Sequence, residues 1–351
     1  MLKSTVSFMV VFITFYAVSV AMAYGFGENK SGKGDKNYRT EVQWISDDVE
    51  KGGKFTYGTG DYGRKLQFDR HKRFYEMHIP PSYNKAKPVP VVLVFHGGGG
   101  DPGTIRYESD MDRTADREGF IVVYPAGTNK RLFLKDRLLL WNDGRPFKDG
   151  SYSKIDDVGF IVALLDDLAA LFNVDKKRIY ACGYSNGAQF TYRLAKRMNG
   201  RIAAIATVAG HRPVKDEFDP TPSRPIAIMQ FSGKEDKLGP YYGGSPPSEA
   251  ELKTTLKPVE ETIKSWADFN NCPSKPTEKK RIGKAGLMRY GPCKDDTEVI
   301  LWTLEDGGHT WPGGRIVPNV EMIGLGKLGN ISRDIKASDL IWEFFKKHPL
   351  K

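Results

Sequence analysis

Residues 179–190 read Ile179-Tyr180-Ala181-Cys182-Gly183-Tyr184-Ser185-Asn186-Gly187-Ala188-Gln189-Phe190. The apolar run Ile179 to Cys182 predicts a strand, and a helical pattern opens at Ala188 and runs to Met198. Gly-x-Ser-x-Gly stands between them. A sharp strand-to-helix turn leaves almost no room for side chains beside its apex, hence the glycines, and it lifts the Ser185 hydroxyl out of the sheet at the start of a helix. The pentapeptide alone is a weak signal. Its strand–turn–helix context makes Ser185 a candidate nucleophile.

Outward from this turn, apolar runs without alternation stand at Val89–Phe95, Phe120–Tyr124, Ala203–Val208, Ile226–Phe231 and Val299–Leu304. Such runs predict strands buried on both faces. Helical patterns separate them at Ser109–Glu118, Val158–Phe172, Ala188–Met198, Val259–Phe269 and Asp334–Lys347. Asp156 or Asp157 suits the start of the second, and Asn199-Gly200 the end of the third. Alternating strands and helices predict an α/β fold, a mostly parallel central sheet with helices on both faces and ligands at the carboxyl ends of the strands. Arg39–Ile45 and Arg73–His78 alternate more and predict antiparallel edge strands. The Gly- and Pro-rich stretch Leu238–Ser248 predicts an irregular excursion inside the fold.

A serine hydroxyl needs a base, and in a strand–turn–helix setting the expected chain order is Ser, acid, His. Of six histidines, His71, His78 and His96 precede Ser185, His348 ends a Lys-rich helical pattern, and His211 has no strand-end acid before it. His309 remains, in Asp306-Gly307-Gly308-His309-Thr310-Trp311-Pro312-Gly313, just past the last predicted strand. The acid should follow an intervening strand, and Ile226–Phe231 leads into Ser232-Gly233-Lys234-Glu235-Asp236. Asp236 is the choice, with Glu235 the neighbouring alternative; its role would be to accept the imidazole N–H and fix the tautomer. The run ending at Phe95 leads into His96-Gly97-Gly98-Gly99-Gly100. Backbone N–H groups of Gly98 and Asn186 are the expected donors to an oxyanion. No Lys-Ser/Thr follows the glycines, which excludes a nucleotide P-loop.

Composition bounds the class. The chain has 351 residues, 40% hydrophobic and 27% charged, which fits a globular protein and neither a disordered nor a polytopic membrane chain. The net charge of +10 is spread over basic residues interleaved with acids, as in Lys234-Glu235-Asp236-Lys237. No nucleic-acid partner is expected from that pattern. Lys3, the apolar run Val6–Val20 and Ala21-Met22-Ala23 predict a signal peptide over residues 1–23, with an uncleaved anchor as the alternative. Residues 24–50 then read as a flexible tether and first edge strand, and 51–351 as a single domain, secreted or periplasmic with no stable membrane insertion after cleavage. Three cysteines are present. Cys272 and Cys293 flank a polar stretch and are expected to pair, since closing a loop of roughly 20 residues constrains the unfolded chain by about 3 kcal/mol. Cys182, in an apolar run, is expected to stay free and buried. With no CxxC or HxxxH pair, no metal and no cofactor are expected.

Several segments together resemble the α/β-hydrolase superfamily, and within it the secreted esterases of the polyhydroxybutyrate-depolymerase and feruloyl-esterase type, carbohydrate esterase family 1. They are Arg73-Phe74-Tyr75, VVLVFHGGGG, VGFIVALLDDLAALFNVDKKRIYACGYSNGA, FSGKEDKLGPYYGG, the Cys272 and Cys293 pair, and LEDGGHTWPGG, so the resemblance spans about residues 55–345. It implies a serine esterase with the triad at Ser185, Asp236 and His309. The chain departs from the family in having glycine at 98, where a bulky residue or cysteine is often found, and in Asn186-Gly187-Ala188. The implied substrate is a small ester or an esterified polysaccharide or oligomer. Feruloyl or acetyl esters come first and 3-hydroxybutyrate oligomers second; a peptidase and a non-catalytic carbohydrate-binding relative are the rivals. Trp141 and Trp311 are candidate substrate contacts, with packing under a loop as the other reading.

Overall fold

Strands whose side chains are apolar on both faces can be satisfied only between two layers, and the sheet is built that way. In the computed structural model, residues 41–45, 57–128, 139–146, 154–212, 220–245, 255–317 and 328–351 are described. The predicted signal peptide and most of the tether lie outside these residues. All the described residues fall in one unit, Tyr38–Lys351.

In chain order the elements are β1 (Gln43–Trp44), β2 (Gly60–Phe68), β3 (His71–Ile79), β4 (Val89–Phe95), α1 (Pro102–Ser109), α2 (Met111–Glu118), β5 (Ile121–Pro125), α3 (Asp157–Leu171) and β6 (Val174–Tyr184). They continue with α4 (Asn186–Arg197), β7 (Ala204–Val208), β8 (Ala227–Gly233), α5 (Val259–Phe269), β9 (Glu278–Ile282), β10 (Ala285–Tyr290), β11 (Val299–Leu304) and α6 (Ala337–Phe345). Among the described residues the strands form one 11-stranded sheet in the order β1-β2-β3-β5-β4-β6-β7-β8-β11-β10-β9. The centre, from β5 through β4, β6, β7 and β8 to β11, is parallel throughout. This is an α/β-hydrolase sheet.

Successive residues of β4 feed opposite cores. Val91, Leu93 and Phe95 pack with Phe160 and Leu164 of α3, Phe190 of α4 and Trp266 of α5. Val92 and Val94 pack with Ile105 of α1, Met111 of α2 and Trp342 and Phe345 of α6. A run with no polar alternation is therefore what a strand between two helical layers requires.

Three expectations need correction. Arg73–His78 falls in β3, which is antiparallel as expected but interior, paired to β2 on one side and β5 on the other. Its alternation arises because polar side chains are held by buried partners: Arg73 donates to Asp157 at 2.7 Å and to the Ala126 carbonyl at 3.0 Å. The segment Arg39–Ile45 does supply the edge strand, but only Gln43–Trp44 pair, and they run parallel to β2. Ser109–Glu118 is not one helix. Asp101 caps α1 by accepting from Thr104 N–H, while its own N–H donates to Thr104 Oγ1. Asp110, left-handed at φ 52°, then breaks the chain before α2.

Candidate active site

Strand β6 ends at Tyr184 and α4 begins at Asn186, so Ser185 alone makes the turn, at φ 54° and ψ −120°. A non-glycine residue in that region is strained and persists only where its surroundings over-determine it. Here they do. A Cβ at Gly183 would lie 2.4 Å from the Gly187 carbonyl oxygen, and one at Gly187 would lie 2.4 Å from the His96 carbonyl oxygen, so both flanking positions exclude any side chain. The Ser185 N–H donates to the Val208 carbonyl at 2.9 Å, which ties the apex to the end of β7.

The structure brings Ser185, His309 and Asp236 together. His309 Nε2 lies 2.8 Å from Ser185 Oγ, and His309 Nδ1 lies 2.7 Å from Asp236 Oδ2. Asp236 follows β8 and His309 follows β11, so all three arise at carboxyl ends of parallel strands. The other carboxylate oxygen, Asp236 Oδ1, accepts from the N–H groups of Leu238 and Gly239 at 2.8 and 2.7 Å. Asp236 and His309 are both buried. A carboxylate fixed at both oxygens orients the imidazole with Nδ1–H toward itself, which leaves Nε2 as the acceptor for the serine proton. Glu235, the alternative acid, is exposed. The Tyr184 hydroxyl donates to the His309 carbonyl at 2.5 Å, a brace from the strand beneath. It occupies a variable position of the Gly-x-Ser-x-Gly motif, and nothing in that motif marks it.

Gly98 lies beside the turn: a Cβ on it would meet Leu140 Cδ2 at 3.0 Å and Asn186 Cβ at 3.6 Å. Within the loop, the Gly99 N–H donates to the Leu139 carbonyl at 2.8 Å and the Gly100 N–H to the Gly97 carbonyl at 3.0 Å. The Gly98 N–H and the Asn186 N–H have no acceptor among the described residues. The Asn186 N–H is also one of the first N–H groups of a helix, which an intrahelical carbonyl cannot satisfy. His96 is wholly buried and holds the loop by both ring nitrogens. Nδ1 donates to the Gly97 carbonyl at 2.7 Å, and Nε2 accepts from the Gly127 N–H at 3.0 Å. Burial pushes its pKa down to about 4, so the neutral ring these two bonds require is the form present near neutrality.

Trp141 and Trp311 are placed differently from the expectation of substrate contact. Trp141 is 3% exposed; it stacks on Phe190 with ring centres 4.9 Å apart, and its indole N–H donates to the His96 carbonyl at 3.1 Å. Trp311 is 2% exposed and donates to Ser338 Oγ at 3.1 Å, which in turn donates to the Ser109 carbonyl. Both are consumed in packing and show no face to a ligand. Cys272 and Cys293 are joined in a disulfide, and Cys182 is free and buried.

Among the described residues one trio, Asp61, His78 and Asp112, gathers metal-ligating atoms. Its cation is already supplied, because Arg106 donates to both Asp61 and Asp112 and His78 bridges Asp61 and Asp116.

Residues 73–216 match the family described as Esterase PHB depolymerase. The chain is 29% identical over 256 residues to NocK of Nocardia uniformis subsp. tsuyamanensis, across 69% of this chain and 71% of that protein. It is 25% identical over 241 residues to the bifunctional acetylxylan esterase/xylanase XynS20E of Neocallimastix patriciarum, across 67% of this chain and 31% of that protein. To feruloyl esterase B of Piromyces equi it is 26% identical over 240 residues, across 68% of this chain and 42% of that protein. The matched region thus spans well under half the length of these last two relatives. Among solved structures, the acetyl xylan esterase from Aspergillus awamori aligns with a TM-score of 0.49 at 14% identity, over 75% of this chain and 98% of that one. Residues 73–216, which carry the match to the Esterase PHB depolymerase family, hold both the His96–Gly100 loop and Ser185.

Proposed function

We propose that this protein is a serine esterase that hydrolyses carboxylic esters through an acyl-enzyme. The observation that carries the reading is the chain of short contacts from Ser185 Oγ to His309 Nε2 at 2.8 Å and from His309 Nδ1 to Asp236 Oδ2 at 2.7 Å. Ser185 Oγ attacks the ester carbonyl carbon as its proton passes to His309 Nε2. The carbonyl oxygen gains the negative charge and accepts from the N–H groups of Gly98 and Asn186. Collapse of the intermediate expels the alcohol, which takes the proton back from His309. Water then repeats the sequence on the acyl-serine, freeing the acid and restoring Ser185. Asp236 keeps its charge throughout and stabilises the imidazolium.

The substrate we infer is a feruloyl or acetyl ester on a polysaccharide. The names of the two fungal relatives that carry an activity, one an acetylxylan esterase/xylanase and one a feruloyl esterase, support it. A second reading, esters of 3-hydroxybutyrate oligomers, draws support from the family matched by residues 73–216. The leader pattern at residues 1–23 and the Cys272–Cys293 disulfide support a place outside the cytoplasm.

The test is turnover of methyl ferulate, acetylated xylan, p-nitrophenyl butyrate and 3-hydroxybutyrate oligomers by the parent and by Ser185→Ala. The variant should lose roughly five or more powers of ten in kcat on every ester while its thermal melt stays in place. Retained turnover in a folded Ser185→Ala would overturn the assignment. Preference for the oligomers over ferulate and xylan would select the second reading.

A further inference from the structure

The two oxyanion donors come from separate strands: Gly98 from the loop after β4, and Asn186 from the turn after β6. Their separation must hold to a fraction of an ångström, because each N–H has to point at one developing charge. Residues 139–145 touch both sides. On the Gly98 side, Leu139 accepts from the Gly99 N–H, Leu140 Cδ2 lies 3.0 Å from where a Cβ on Gly98 would stand, and the Trp141 indole donates to the His96 carbonyl. On the other side the contact runs through the Asn186 side chain. Its Oδ1 accepts from the Trp141 N–H at 2.8 Å, and its Nδ2 donates to the Trp141 carbonyl at 3.2 Å and to Asp143 Oδ2 at 3.0 Å. Asp143 is itself buried and fixed. Arg145 donates to it from its backbone N–H at 3.0 Å and from its guanidinium at 2.8 Å, and Arg212 donates to the Asp143 carbonyl.

We propose that Asp143, acting through the Asn186 carboxamide, is a positioning residue that locks residues 139–145 as a splint between the two oxyanion donors. A carboxamide that spends both donor hydrogens and its oxygen on one segment has no rotational freedom left, and the residue that carries it also carries the N–H aimed at the oxyanion. Asp143 takes one of those hydrogens and is held by two arginines, so the orientation of the carboxamide is set from outside the turn. The inference rests on the reading of Ser185 as the nucleophile.

Asn186→Asp tests it. The substitution keeps size, backbone N–H and the acceptor for the Trp141 N–H, but turns an oxygen toward the Trp141 carbonyl and the Asp143 carboxylate. On p-nitrophenyl butyrate, kcat should fall about 30-fold while KM stays within about threefold, since donors aimed at the developing charge act on the transition state and not on the bound ester. Combining Asn186→Asp with Asp143→Asn exchanges donor and acceptor across the same contact, and should recover kcat by about tenfold over the single variant. Asn186→Ala, which removes the three bonds without repulsion, is the second variant and should lose about tenfold in kcat. Near-UV circular dichroism at the assay temperature separates lost alignment from lost structure. A folded Asn186→Asp with kcat within about threefold of the parent, or a double variant no faster than the single, would overturn the splint. Turnover surviving in Ser185→Ala would instead remove the reading on which the splint depends.

Discussion

Ser185 at φ 54° stores backbone strain that the two flanking glycines and the Val208 carbonyl keep in place, and the return is a hydroxyl held 2.8 Å from His309 Nε2. Asp236 does the equivalent for the imidazole. Asp236→Asn should leave the thermal melt within a few degrees yet lower kcat about 10⁴-fold, because an amide can present its N–H to Nδ1 and impose the wrong tautomer. Ester turnover at neutral pH is the measurement, and a loss under tenfold would show that His309 does not depend on Asp236. Ser185, Asp236 and His309 were each legible in the sequence because each sits in a few residues directly after an apolar strand, where local context marks a carboxyl end. The bond from Asn186 to Asp143 was not, since it joins positions 43 apart and no local pattern encodes it. The burial of Trp141 and Trp311 was hidden for a related reason. A tryptophan beside a candidate site looks alike in sequence whether it faces the cleft or the core, and only the packed partners, Phe190 for one and Ser338 for the other, decide.

At the scale of elements, the parallel centre was readable because strands covered on both faces carry mostly apolar runs without alternation, and β4, β5, β7, β8 and β11 do. On the flanks, Arg39–Ile45 and Arg73–His78 were readable as strands, whereas β2, β9 and β10 were not. β2 carries Gly60, Gly63 and charged residues, and β9 reads Glu-Lys-Lys-Arg-Ile with exposed side chains, as suits an edge that avoids pairing with another chain. β10 is only partly buried and follows β9 by a tight turn at Gly283, where φ is 56°. The disulfide belongs to this flank: Cys272 lies just past α5 and Cys293 between β10 and β11, so the closed loop contains the β9–β10 hairpin. Replacing both cysteines by alanine should cost about 3 kcal/mol in urea unfolding, mostly by freeing the unfolded chain. It should leave kcat unchanged at temperatures where the variant is folded, because neither cysteine bonds to the triad or to the loop after β4. Loss of kcat in the folded variant would show that this flank reaches the site.

The whole molecule responds to pH through buried groups whose shifts have opposite signs. Burial, helped by the nearby Asp101 charge, pushes the Glu108 carboxyl up to about 8 from 4.5. The folded chain therefore binds a proton that the unfolded chain has released between those values, so this contribution is full below pH 4.5 and is lost as pH rises to 8. Burial opposes a charge on His78, but its bonds to Asp61 and Asp116 and the nearby Asp112 outweigh it and raise its pKa to about 9 from 6.5. Its stabilisation is present below 6.5 and is lost through 9. His96 runs the other way: burial lowers it to about 4 from 6.5, so its contribution is present above 6.5 and is lost as pH falls to 4. Between about pH 4.5 and 6.5 the Glu108 loss and the His96 gain offset each other, so the stability these groups supply should be level there and fall above pH 6.5 on an alkaline slope shared by Glu108 and His78. Glu108→Gln removes one component. Since one pKa unit is worth about 1.4 kcal/mol, a shift of this size corresponds to several kcal/mol, and the variant should be the more stable chain at pH 8 by an amount of that order. Urea midpoints across pH 5 to 9 decide it: the parent should hold level from pH 5 to 6.5, where the Glu108 and His96 slopes offset each other, and then decline steeply to pH 8, while Glu108→Gln should rise to about pH 6.5 on the His96 contribution and then decline on the His78 slope alone. Parallel curves for the two chains would mean that Glu108 is ionised in the folded protein and that the alkaline slope belongs to His78 alone.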